Sequence, residues 1–131
     1  MTRKARVAAA PEHATADTAP GARLGTLRYM SPEQWRGEEA QPSWDLWALA
    51  VVAHEMVIGA HPFADRAPIG VAPVFTLSSA RLADAPEPIR AFFTRALASD
   101  LSARPQSVGA LVADFEWAVG GSEDTTLFLG R

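Results

Sequence analysis

The chain reads as a mainly α-helical domain, and three apolar patterns carry that reading. Leu46-Trp47-Ala48-Leu49-Ala50-Val51-Val52-Ala53, continued by Met56-Val57-Ile58, is apolar on every side of a helix, as a buried central helix would be. A strand is the rival for such a run, but the run is longer than strands usually are. Ile89, Phe92, Phe93, Ala96 and Leu97 recur at helical spacing and make one stripe. Val108, Leu111, Val112, Phe115 and Val119 make another.

Taken in order, residues 1–24 are rich in Ala, Thr and Pro with no periodicity, which predicts a mobile stretch. Residues 25–37 read GTLRYMSPEQWRG, and Ser31-Pro32-Glu33 predicts a short helix there. Ser caps it, Pro takes its first position and Glu suits its positive end. Ser43 is the expected cap of the central helix, Asp45 lies in its first turn, Gly59 suits its C-terminal cap, and Pro62 stops continuation. Residues 64–83 are weakly patterned. Asp84 and Glu87 have the spacing of a capping box for the third helix. Asp100 to Pro105 breaks that helix, and Ser107 or Gln106 opens the last one. Residues 120–131 read as a polar tail with an apolar tip at Leu127-Phe128-Leu129.

With 131 residues, 48% of them apolar and 21% charged, the chain can bury one core but not two large lobes. A net charge of −3 speaks against nucleic acid as partner, since phosphate binding needs a concentrated basic patch. The absence of cysteine excludes disulfides and thiolate metal sites and fits a reducing cytoplasm. After the basic start Met1-Thr2-Arg3-Lys4-Ala5-Arg6, Val7-Ala8-Ala9-Ala10 is too short for a secretory segment. The longest apolar run is interrupted by His54 and Glu55 and is too short to span a membrane. A cytoplasmic protein with no membrane or nucleic-acid partner is expected.

Some local motifs fail on inspection. His54-Glu55 begins an HExxH zinc motif, but Ile58 stands where the second His belongs, so no zinc pair forms. His54 reads instead as a core histidine and His61 as a turn residue. With His13 in the N-terminal stretch, no three-ligand cluster arises, and no metal site is expected. Helices near 87–99 and 107–119 could make a helix-turn-helix module. The second of them carries Asp114 and Glu116 and no Lys or Arg, and it would repel phosphate.

Three blocks then stand in register: GTLRYMSPEQ, DLWALAVVAHEMVIGAHPF and LASDLSARPQS. Together they resemble the C-terminal lobe of bacterial-type serine/threonine protein kinases over roughly residues 23–119. The resemblance implies a helical kinase C-lobe over 25–119 without the N-lobe sheet. It also implies an activation-segment-like stretch over 1–24. Gly25, Thr26, Tyr29 and Met30 match the loop that docks the residue after the phosphoacceptor, and Thr26 is the serine/threonine-kinase type. Ser31-Pro32-Glu33 stands where the family has Ala-Pro-Glu. Glu33 then pairs with a distant arginine, matched here by Arg104, and a planar bidentate cation suits that task. Asp45 matches the aspartate that holds the catalytic loop's backbone, and Trp47 and Glu55 match landmarks of the central helix. Gly59, Pro62 and Phe63 match its exit. Thr15 and Thr18 lie where activating phosphorylations occur in the family, although two threonines in a polar loop is the plainer description.

The family's nucleotide machinery does not turn up in the sequence. It needs a Gly-rich loop, a strand lysine with its glutamate, a catalytic aspartate and a metal-binding Asp-Phe-Gly. No GxGxxG occurs, the only lysine is Lys4, and there is no His-Arg-Asp. Asp100-Leu101 imitates the catalytic loop but belongs to the Ala-Arg-Pro block. Asp114-Phe115-Glu116 imitates the metal triplet, yet Phe115 lies on an apolar stripe. Ala5-Arg6 matches a pair that follows Asp-Phe-Gly in the family, so the chain is expected to begin inside the activation segment. These 131 residues are therefore expected to bind neither ATP nor magnesium, both of which the intact family uses. A kinase fragment is one outcome and a degenerate kinase-like binding module the other. Either way the partner is a protein substrate or binding protein, a missing N-lobe, or a second copy meeting an apolar face left bare along the central helix.

Overall fold

A computed structural model of the chain describes residues 28–63, 75–121 and 123–130. Gly25, Thr26, Thr15, Thr18 and the whole of the 1–24 stretch lie outside the described residues. Among those described the elements are six α-helices and one 3-10 turn, with no strand. They are α1 (Pro32–Trp35), α2 (Pro42–Ile58), α3 (Ala80–Ala83), α4 (Glu87–Ala96), the turn Leu101–Ala103, α5 (Val108–Gly120) and α6 (Glu123–Leu129).

The one-turn helix α1 forms as its sequence predicts. The Ser31 hydroxyl accepts from the Gln34 amide (3.3 Å), and the Gln34 side chain accepts from the Ser31 amide (2.9 Å), a reciprocal capping box. Gln34 closes that box, so the Glu33 carboxylate beside it is free to serve a partner outside the helix.

The central helix α2 starts two residues earlier than Ser43 would set. Pro42 takes its first position and Gln41 caps it without a side-chain bond. Proline's fixed φ and missing N–H make it self-sufficient there. Ser43, displaced into the first turn, turns its hydroxyl elsewhere. Gly59 closes the helix in the left-handed region at φ 87°, where a Cβ would be strained, and its N–H meets the Glu55 carbonyl at 3.0 Å.

The core gathers round the buried side of α2. Trp47 stacks on Phe63 at 5.7 Å, and Phe75 meets both rings edge-on at 5.4 Å. Two turns further, His54 packs edge-on against Phe93 of α4 (4.9 Å). The stripe on α4 is buried as read: Ile89, Phe92, Phe93, Ala96 and Leu97 are at most 3% exposed. Burying side chains of this size contributes about 1.5–3 kcal/mol each.

Four local expectations are corrected. The Asp84–Glu87 capping box is not made: Asp84 ends α3, which Ser79 caps, and Pro86 occupies the cap of α4. The weakly patterned stretch before residue 84 thus contains a helical turn. On α5 the expected stripe is only partly covered. Leu111 and Ala118 are buried and Phe115 meets Phe92 at 5.4 Å, while Val108 and Val112 face outward. Here α4 covers a narrower strip than the sequence offered. The 120–131 tail contains a helix, α6, whose Thr125 and Phe128 are buried, with the Arg81 guanidinium 4.6 Å over the Phe128 ring.

The opposite side of α2 stays bare. Leu49, Val52 and Met56, spaced to share one face, are 45%, 39% and 80% exposed, and exposed Asp45 heads the same row. The apolar patch expected along the central helix is therefore present.

Candidate docking site and its anchor

Glu33 and Arg104, 71 positions apart, meet as a bidentate pair. The two terminal guanidinium nitrogens donate to Oε2 at 2.8 Å and Oε1 at 2.9 Å. Both side chains are out of water, at 0% and 3% exposure. Burial costs such ions heavily, so the pair persists only if their remaining hydrogen-bonding capacity is met. It is met on both sides. Arg104 Nε donates to the Ala98 carbonyl (2.7 Å) and Nη2 reaches the Ser99 carbonyl (3.4 Å). Its guanidinium lies 4.7 Å over the Trp47 ring. On the other side, the Ser43 hydroxyl donates to Glu33 Oε2 at 2.8 Å. Burial acts to raise the Glu33 carboxyl, but the hydrogen bonds from Arg104 and Ser43 outweigh it and hold the group at about 2.

The turn that delivers Arg104 is itself braced. Asp100 accepts from the Ser102 amide (2.9 Å) and hydroxyl (2.8 Å), capping the 3-10 turn. The Gln106 amide donates to the Arg104 carbonyl at 2.6 Å and the Leu101 carbonyl at 3.0 Å. Ser107 caps α5. Of the two residues that could open this helix, Ser107 does so and Gln106 supports the turn.

The Arg28–Met30 segment is tied to the other end of α2. The Tyr29 hydroxyl donates to Glu55 Oε1 at 2.7 Å. That bond, with burial behind it, raises the phenol above its ordinary range. His61 Nε2 meets the Arg28 carbonyl at 2.8 Å, and its ring stands edge-on to Tyr29 at 6.1 Å. Met30, half-buried, leads into the Ser31 cap. Five residues singled out in the sequence, Tyr29, Glu33, Trp47, Glu55 and Arg104, thus form two anchoring contacts, one at each end of the Arg28–Trp35 stretch. Asp45 joins neither. It is exposed at the head of α2 and makes no hydrogen bond or ion pair among the described residues.

Sequence reasoning missed Ser43 and His61 as parts of this site. Ser43 looked like a cap, and nothing local reveals a hydroxyl aimed ten residues back. His61 looked like a turn residue, and only its placement between Gly59 and Pro62 hinted at a fixed geometry. His54 behaves as a core histidine. Its Nδ1 donates to the Ala60 carbonyl (2.7 Å), and burial pushes the imidazole down.

In the Asp114-Phe115-Glu116 triplet, Asp114 pairs with Arg95 (3.3 Å) and Phe115 packs against Phe92. Among the described residues no three His, Asp or Glu side chains converge as a metal site. No helix among them is long and apolar enough to cross a membrane.

A family model described as protein kinase domain matches residues 9–115. The chain belongs to that family. Its relatives include several bacterial serine/threonine-protein kinases. PknD of Chlamydia abortus is 34% identical over 113 residues, covering 83% of this chain and 12% of that protein. PknB of Mycolicibacterium smegmatis is 33% identical over 102 residues, covering 74% and 16%. PknA of Mycobacterium tuberculosis is 42% identical over 55 residues, covering 42% and 13%. The chain thus spans a small part of the length of these relatives. No solved structure matched it significantly.

Proposed function

We propose that the chain supplies the substrate-docking, helical portion of a serine/threonine protein kinase domain and does not transfer phosphate by itself. The observation that carries the reading is the double anchoring of Arg28–Trp35, by Tyr29–Glu55 at one end and Glu33–Arg104 at the other. A segment that must present a peptide backbone to a reaction centre gains from being held before the peptide arrives. The residues that would supply the reaction centre are not found in the sequence, and the Asp114 region is already engaged elsewhere. Gly25 and Thr26 would extend the docking loop, Thr15 and Thr18 would be its phosphorylation sites, and the partner would be a protein.

Titration of the purified chain with magnesium ATP in a calorimeter, followed by incubation with radiolabelled ATP and casein, tests the proposal. No binding heat and no labelled casein are expected. Micromolar binding, or labelling that grows with chain concentration, would overturn it.

A second reading has its own support. The exposed Leu49, Val52 and Met56 row suits a stand-alone kinase-like binding module as well as a fragment.

A further inference from the structure

The geometry points to His61 as a positioning residue for the docking segment, fixing the backbone at Arg28 through a tautomer that its own loop imposes. A carbonyl can only accept, so the 2.8 Å contact between His61 Nε2 and the Arg28 carbonyl requires the proton on Nε2. With the proton there, the other ring nitrogen is able to accept, and the Phe63 amide donates to it at 3.2 Å, a closer approach than the 3.4 Å to the Phe63 carbonyl. One ring in this tautomer therefore serves both neighbours, and turning it over would break both bonds.

The loop that carries His61 is fixed from behind by a second histidine of opposite tautomer. His54, fully buried against Phe93, must carry its proton on Nδ1 to meet the Ala60 carbonyl at 2.7 Å. Between them, Gly59 turns the chain out of α2 in the left-handed region. The connection runs from the α4 core through His54, Ala60 and His61 to the Arg28 backbone, while Glu55, one helical turn before Gly59, holds the Tyr29 side chain. Tyr29 is thus gripped at its hydroxyl by Glu55 and along its ring edge by His61. Backbone and side chain of the segment are set by one short stretch, residues 54–63.

The consequence for peptide binding rests on the docking reading given above; the tautomer and the grip on Arg28 do not. Long-range proton–nitrogen spectra of the full chain at pH 8 should show His61 protonated on Nε2 and His54 on Nδ1. His61 protonated on Nδ1 would overturn the inference.

In hydrogen exchange, His61→Ala should speed the amides of Tyr29 to Ser31 at least tenfold and leave those of Ala50 to His54 unchanged. His61→Gln, whose amide can still donate to the Arg28 carbonyl, should recover most of the protection. Exchange at Tyr29 to Ser31 within twofold of the parent in His61→Ala would also overturn it.

A degenerate serine-centred peptide library supplies the separate arm. If the parent retains peptides, His61→Ala should retain them at least fivefold less well, and equal retention would count against the inference. If the parent retains none, the docking reading is what fails, and the exchange result still decides the role of His61.

Discussion

At the scale of residues, the Glu33–Arg104 pair depends on its neighbours as much as on its own charges. Removing one partner leaves a buried ion without compensation, so Arg104→Ala should lower the unfolding free energy by about 3–5 kcal/mol in urea denaturation. Titration separates the pair from His54. Glu33 sits at about 2 in the folded chain against an ordinary 4.5, so the folded state resists its protonation. Its contribution is complete above pH 4.5 and is lost as pH falls towards 2. His54 is also lowered, from 6.5, and in the fold it stays neutral where the unfolded chain takes up a proton. Stability should therefore begin to fall below pH 6.5 because of His54, and fall again below pH 4.5 because of Glu33. Urea midpoints across pH should show both limbs, and Glu33→Gln should shrink the lower one, leaving the part due to Asp100, whose bonds from Ser102 also lower its carboxyl. The pair itself was legible, because the Ser-Pro-Glu and Ala-Arg-Pro blocks stand in register. Ser43 and the Tyr29–Glu55 bond were not, because each depends on how two segments lie together.

At the scale of elements, apolar periodicity found the helices but not all of their ends. Pro86 overrode the Asp84–Glu87 spacing, and Pro42 overrode Ser43, since a proline at a helix start needs no cap. Helix α6 escaped because its buried face amounts to Thr125 and Phe128, too few positions to make a stripe. Its docking is nonetheless a packing contact. Phe128→Ala should cost about 3–5 kcal/mol in thermal or chemical unfolding, whereas a solvated tail would show almost no change. The exposed side of α2 gives the opposite case. Leu49, Val52 and Met56 offer apolar surface with nothing described to cover it, so the chain is expected to self-associate at high concentration. Met56→Glu should shift sedimentation towards monomer and weaken apolar-dye binding. A parent that is already monomeric and dye-silent would contradict this.

At the scale of the whole molecule, one helix links the Arg28–Trp35 stretch to the core. The buried side of α2 meets the aromatic core and carries Trp47 beneath Arg104. Its first turn supplies Ser43 to Glu33, and its last turns supply Glu55 and the loop that reaches Tyr29 and Arg28. Helical class and kinase kinship were legible because both are written in spacing along the chain. The two-point suspension of Arg28–Trp35 was not, because it is a property of contacts. That suspension is the central claim, and a double-mutant cycle on Glu33→Gln and Arg104→Ala tests it most directly. A coupling energy of roughly 2 kcal/mol or more in urea unfolding is expected. Single-mutant effects that add to within about 0.5 kcal/mol would contradict the claim, since the two residues would then not be holding each other.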